Sequence, residues 1–301
     1  VSGADDDYDV KRCAKCAAWI PTSATMCAYC GTSTPDEAPA RPKGSMLSMR
    51  HGVRVTSLII VANAVYFVFS LFVQFKATPS GNPLQWALTG TGLGEGLFDA
   101  GMYDHGAVAY GHQWWRVLCA TFLHIGGIHI LLNMLALKQL GDLAEDLFGP
   151  AKFLTVYVLS GVTCSLGISV WYAGIRHFPP DEISPVAGAS GAIFGVAGLL
   201  IVYLFRAGTA RGRQIAMSIA QSIALMLVIG LFMPGLLSQV GHVGGLLPGL
   251  AFGLLIRDDF SARVNPAARK RWTLAAVVCV TAVVASLLAG AWYAFSHLGG
   301  R

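Results

Sequence analysis

The chain has 301 residues, 54% of them hydrophobic and only 12% charged, with a mean hydropathy of +0.59. That profile excludes an ordinary soluble domain and describes an integral membrane protein. The formal net charge of +5 implies no nucleic-acid partner, and the placement of the basic residues carries more information than their sum.

Chain order begins with a segment that has no charged-then-apolar leader, so the amino terminus is expected to stay in the cytoplasm. Within it, Cys13, Cys16, Cys27 and Cys30 form two Cys-x-x-Cys pairs. Four thiolates at this spacing can surround Zn²⁺, and metal binding then supplies folding energy that so short a segment cannot draw from a core. The same spacing would allow two disulfides in an oxidising compartment, but a cytoplasmic segment favours a structural zinc ribbon over residues 1–34. Gly31, directly after the second pair, suits the tight turn of a zinc knuckle. The remaining cysteines, Cys119, Cys164 and Cys279, fall singly in apolar runs and read as small buried hydrophobes. Residues 35–52, with Pro35, Pro39 and Pro42, read as an extended linker.

Apolar runs of spanning length follow at 55–75, 117–140, 153–173, 187–205, 215–233, 240–256 and 272–295, which predicts seven membrane helices. With the amino terminus inside, fourteen Lys and Arg residues flank the spans on that side. Only four, Lys76, Arg116, Arg176 and Arg301, lie on the other. This asymmetry orients the second, fourth and sixth helices from outside to inside and puts the carboxyl terminus outside. The expected location is a bacterial plasma membrane.

Those three runs carry the polar residues that lipid tolerates least: His124, His129 and Asn133 in the second, Ser190 opening the fourth, and His242 near the start of the sixth. His129 and Asn133 are one turn apart on one face, and Ser190 and His242 share a depth near the outer ends of their helices. Taken singly, each has an ordinary explanation. Gly191 and Gly195 make a GxxxG packing step, a lone histidine often bridges helices, and His112 beside Trp114 and Trp115 reads as interfacial. His124, expected on a different side of the second helix from Asn133, reads as a structural hydrogen bonder. Helix packing does not account for their joint spacing.

A hydroxyl becomes a nucleophile when a base takes its proton, and neutral imidazole suits that task near pH 7. Ser190 is therefore the candidate nucleophile and His242 the candidate base. Acyl transfer also needs donors for an oxyanion, which His129, Asn133 and the Ser190 backbone N–H could supply at the positive end of the fourth helix. No Asp or Glu lies in a span near this depth, so a dyad is expected, with Phe194 one turn beyond Ser190 placed to stack on the imidazole. Gly241, Gly244, Gly245 and Gly249 would let the sixth helix approach the fourth.

With these motifs the chain resembles the rhomboid intramembrane serine proteases over roughly residues 114–256. The resemblance is carried, in order, by Trp115-Arg116, the HxxxN pair His129 and Asn133, Glu145, Gly188-Ala189-Ser190-Gly191, and His242 with Gly245 and Gly249. It implies an all-α fold: a six-helix catalytic core at 53–257, joined to a cytoplasmic loop and a seventh helix at 258–301. It also implies a serine endopeptidase in which Ser190 and His242 catalyse, and His129, Asn133 and Ser190 N–H line the oxyanion site. Gly188 and Phe194 support the dyad, Trp115-Arg116 stabilises the first outer loop, and Glu145 ties together the inner helix ends. Phe194 stands where some members have Tyr, and either ring can stack. The implied partners are transmembrane substrates and the bilayer, with a cytoplasmic protein as candidate partner of the ribbon and no cofactor for catalysis. The competing expectation is a non-catalytic adaptor that binds membrane helices. A transporter is disfavoured because the helices hold no acidic proton relay.

Overall fold

The computed structural model describes residues 10–15, 19–21, 24–27, 30–34, 53–78, 81–90, 94–179, 185–232, 238–256 and 266–298. The expected linker at 35–52, Cys16 and the loop after residue 256 lie outside the described residues. The chain divides into two compact units, Val1–Gly52 and Val53–Arg301.

In the first unit, strands β1 (Val10–Arg12) and β2 (Trp19–Pro21) pair antiparallel, with Lys11 opposite Ile20. A second turn is closed by an isolated bridge between Met26 and Ser33 and by Gly31 N–H to Cys27 O at 2.9 Å. Gly31 has φ +65°, a conformation that glycine adopts without the steric cost a Cβ would bring.

The second unit is a helical bundle. Its helices are α1 (Val55–Ala77), α2 (Pro83–Thr89), α3 (Glu95–Asp99), α4 (His105–Ala109), α5 (Arg116–Cys119), α6 (Gly127–Phe148), α7 (Pro150–Ser169), α8 (Ser190–Arg206), α9 (Ala210–Phe232), α10 (Gln239–Leu255) and α11 (Pro266–Leu298). A 3₁₀ turn at Ala120–Phe122 follows α5, and a π-helical turn at Val170–Ile175 extends α7.

The bundle is apolar on its outside and partly polar within. Helix α1 buries Thr56, Asn63, Tyr66, Ser70 and Gln74 along one stripe, while Leu58, Val61, Val65 and Val68 on the opposite side are exposed. A helix that hides hydroxyls and amides and displays branched aliphatics is placed for lipid, where intramembrane polar groups face the protein interior. Four helices among the described residues are long and apolar enough to cross a bilayer: Val55–Ala77, Pro150–Ile175, Ala210–Phe232 and Ala267–Leu298.

Two differences from the seven predicted runs have local causes. The run expected at 117–140 is two pieces, Arg116–Phe122 and Gly127–Phe148, bent by 89°. The break falls at Gly126, whose extended backbone (φ −169°, ψ 172°) cannot continue a helix, so His124 sits in the corner rather than on α6. The runs expected at 187–205 and 240–256 form helices of 17 residues, Ser190–Arg206 and Gln239–Leu255, shorter than the other spans. Helix α8 is buried along most of its length, so protein rather than lipid surrounds it.

Glycines set how closely α8 and α10 pack. A Cβ on Gly245 would lie 2.7 Å from the Gly191 carbonyl carbon, and one on Gly249 2.7 Å from the Gly195 Cα, so the two backbones touch directly. At the far end of the bundle, the Glu145 carboxylate accepts hydrogen bonds from Val55 N, Thr56 N and Thr56 Oγ1 at 3.0, 3.0 and 2.9 Å. It thereby satisfies the first amides of α1, where a negative charge is favourable.

Candidate active site

Ser190 is the first residue of α8, and His242 lies in the first turn of α10. The close α8–α10 crossing brings His242 Nε2 to 2.8 Å from Ser190 Oγ. Ser190 Oγ–H can donate to Nε2 when the imidazole carries its proton on Nδ1. His242 Nδ1 has no hydrogen-bond partner among the described residues, and none of their carboxylates orients the ring. Phe194 does so instead, its ring stacked on the imidazole with centroids 4.4 Å apart and planes 11° from parallel.

The segment entering α8 is shaped by Gly188, at φ +136°. A Cβ there would meet His129 Cε1 at 2.7 Å and Nε2 at 3.0 Å, so the missing side chain lets the imidazole lie against the backbone two residues before Ser190. Ile125 N–H points to His129 Nδ1 at 3.4 Å, leaving Nε2 as the protonated nitrogen on the Gly188 side. Asn133 Nδ2 donates back to the His129 carbonyl at 2.9 Å, and its side chain is buried. Part of the Asn133 donor capacity is therefore engaged within α6. The backbone N–H of Ser190 belongs to the first turn of α8, where amides have no intrahelical acceptor.

His124, read from the sequence as structural, reaches this loop. Its Nε2 accepts from Ala189 N–H at 3.4 Å, and its ring meets His129 edge to face at 5.2 Å. Sequence reasoning missed three further contacts. Gly188 N–H donates to Ala120 O at 2.9 Å, and Tyr103 and Val186 exchange two backbone hydrogen bonds of 2.9 Å. Cys164 packs against the α-carbon side of Gly191. Only the Gly126-Gly127 pair could have signalled the corner that puts Ala120 there. A recess of about 10 Å³, room for about one water, lies behind the loop between Thr121, Cys164, Ser165 and Gly188. The Ser–His pair does not line it.

Arg116 is fully buried at the start of α5. Its guanidinium donates to the carbonyls of Phe98 at 2.5 Å and Met102 at 3.0 Å, and its Nε to Gln113 Oε1 at 2.6 Å. It also lies 4.0 Å from the centre of the Phe98 ring. These acceptors offset the cost of hiding a charge and pin the segment between α3 and α5.

In the first unit, the sulfurs of Cys13, Cys27 and Cys30 all lie within 4.8 Å of one another, and Cys13 and Cys27 are buried. Cys13 and Cys30 are 3.5 Å apart, too far for a disulfide and near the edge of a ZnS₄ tetrahedron with Zn–S of about 2.3 Å. The three thiols could hold a metal ion, and Cys16, the other cysteine of the sequence pattern, lies outside the described residues.

Bundle and site together define a polytopic helical membrane protein in which a buried histidine meets a half-buried serine. Residues 111–259 match the family model of the Rhomboid domain. The chain is similar to Rhomboid protease GluP of Bacillus subtilis (strain 168), 33% identical over 177 residues, which cover 56% of this chain and 32% of that protein. It is 29% identical over 239 residues to RHOMBOID-like protein 2 of Arabidopsis thaliana, covering 71% of each. To Rhomboid protease AarA of Providencia stuartii it is 27% identical over 257 residues, covering 80% of this chain and 82% of that protein. The match thus spans about a third of GluP and most of the other two. Residues 111–259 of this chain are therefore a Rhomboid domain.

Proposed function

We propose that this protein is an intramembrane serine endopeptidase that hydrolyses peptide bonds in or next to the transmembrane segments of other membrane proteins. The observation that carries this reading is the 2.8 Å contact between Ser190 Oγ and His242 Nε2 at the start of two closely packed helices. His242 Nε2 takes the hydroxyl proton as Ser190 Oγ attacks the scissile carbonyl carbon. The C–O bond forms, the carbonyl becomes an oxyanion, and the imidazolium then gives its proton to the departing amine. Water repeats the sequence on the acyl-enzyme and frees Ser190. The oxyanion is held by Ser190 N–H and the His129 Nε2–H, with Asn133 beside them, each donor being fixed by backbone before the reaction begins.

In this reading Gly188, Phe194, Gly245 and Gly249 hold the dyad, Trp115-Arg116 the loop segment, and Glu145 the opposite helix ends. The bundle is a six-helix core plus α11, with Ser190 near the outer surface and the amino terminus cytoplasmic. The Cys13, Cys16, Cys27 and Cys30 thiolates hold a structural zinc, and the ribbon offers a docking surface to a cytoplasmic protein.

The test is labelling by a serine-directed fluorophosphonate together with cleavage of a transmembrane reporter. Both are expected in the wild type and lost in Ser190→Ala, with His242→Ala also unlabelled while each variant still folds and inserts. Cleavage that persists in Ser190→Ala would end the proposal. A wild type that binds reporter helices but neither labels nor cleaves would favour an adaptor.

A further inference from the structure

The carboxyl-terminal helix α11 lies outside the Rhomboid match at 111–259, yet one face of it is seated on the segment that leads to the nucleophile. Ser286, Gly290 and Tyr293 recur at helical spacing on that face. Ser286 Oγ donates to the Trp115 carbonyl at 2.6 Å. Gly290 allows a crossing that no larger residue permits, since a Cβ there would lie 2.5 Å from Tyr66 Oη, 2.9 Å from Cys119 Sγ and 3.1 Å from Trp115 Cζ3. The Tyr293 ring meets the Trp115 ring at 5.5 Å and lies 5.1 Å from the Arg116 guanidinium carbon. Leu288 and Trp292, on the other side of the helix, are exposed.

From this seat two short covalent and hydrogen-bonded routes reach Ser190. Helix α5 ends at Cys119, and the next residue, Ala120, accepts the Gly188 N–H two residues before the nucleophile. Arg116 holds the carbonyls of Phe98 and Met102, and the residue after Met102 is Tyr103, which bridges Val186 four residues before it. A fully buried, several-fold bonded guanidinium cannot shift without moving its acceptors, because interiors are packed too densely to absorb the displacement locally.

We propose that Ser286, Gly290 and Tyr293 are positioning residues: α11 fixes the Trp115-Arg116 segment and, through it, the backbone from Val186 to Ser190. The assignment rests on the proposed reading of Ser190 as nucleophile only for its effect on rate. The placement of the loop is a separate observable.

Full-length Gly290→Leu, Tyr293→Ala, Tyr293→Phe and Leu288→Ala variants are compared with wild type in proteoliposomes. In Gly290→Leu and Tyr293→Ala, amides at 185–190 exchange hydrogen faster, fluorophosphonate labelling of Ser190 slows about tenfold, and kcat falls while KM for the reporter helix holds. Tyr293→Phe, which keeps the ring on Trp115 but loses the hydroxyl that bonds the Arg116 guanidinium, recovers both readouts in part, and the lipid-facing Leu288→Ala leaves them unchanged. If Gly290→Leu does not fold, the Tyr293 pair decides alone. Unchanged exchange in Tyr293→Ala, or equal effects from Leu288→Ala, would overturn the assignment. A wild type that never labels would remove the protease reading, and the exchange measurement would still decide the coupling.

Discussion

At Phe194 a single ring sets the plane of the His242 imidazole. The imidazole of His242 has no partner on Nδ1 among the described residues, so its plane is set by the Phe194 face 4.4 Å away. Aromatic stacking of this kind contributes roughly 1 kcal/mol beyond burial, enough to favour one ring rotamer several-fold. Phe194→Ala is expected to lower kcat about tenfold with little change in KM, because the base spends less time aimed at Ser190. Phe194→Tyr should stay within about threefold of wild type, since the ring face is retained. Steady-state cleavage of a reporter helix by the three proteins checks this. Motif spacing made the residue legible, since Phe194 follows Ser190 by one turn. Its stacking partner comes from 48 residues further along the chain and was fixed only by the α8–α10 crossing.

Among the helices, the α8–α10 pair decides whether Ser190 and His242 meet. Gly245 lies one turn after His242 and touches the Gly191 backbone, one residue after Ser190. Gly245→Val is therefore expected to push α10 outward at the dyad itself. Overpacking of this type costs about 1–3 kcal/mol, and the displacement should abolish Ser190 labelling before it unfolds the bundle. Labelling rate and thermal unfolding, measured on one preparation, separate the two effects. A variant that labels at the wild-type rate would mean that the helices can close around a larger residue. The glycine pattern announced close packing, but it left the partner face open, because any small-residue stripe can dock on another. The bend after Phe122 went the other way: hydropathy runs straight across Gly126-Gly127, and only backbone geometry shows the chain turning 89° there.

Across the whole molecule, the two units draw their stability from different sources. The first has only a small buried cluster, Cys13, Ile20 and Cys27, and presents three clustered thiols. One equivalent of zinc per chain is expected by elemental analysis. Its removal by a chelator, or Cys27→Ser, should raise proteolytic clipping within the first fifty or so residues several-fold. A metal-free chain as resistant as the zinc-loaded one would contradict the ribbon. The second unit has a large apolar core with polar groups set into it, and its helices display aliphatics on the outside. By itself the sequence determined the membrane class, the helical content, the thiol pairs and the residue types that could do acyl-transfer chemistry. These are properties of composition and of spacing along one helix or loop. Tertiary structure alone decided that Ser190 and His242 meet at 2.8 Å, that His124 holds the loop, and that α11 sits on Trp115. The reason is physical: each is a contact between segments distant in the chain, and apolar periodicity shows that a face is buried without showing what buries it.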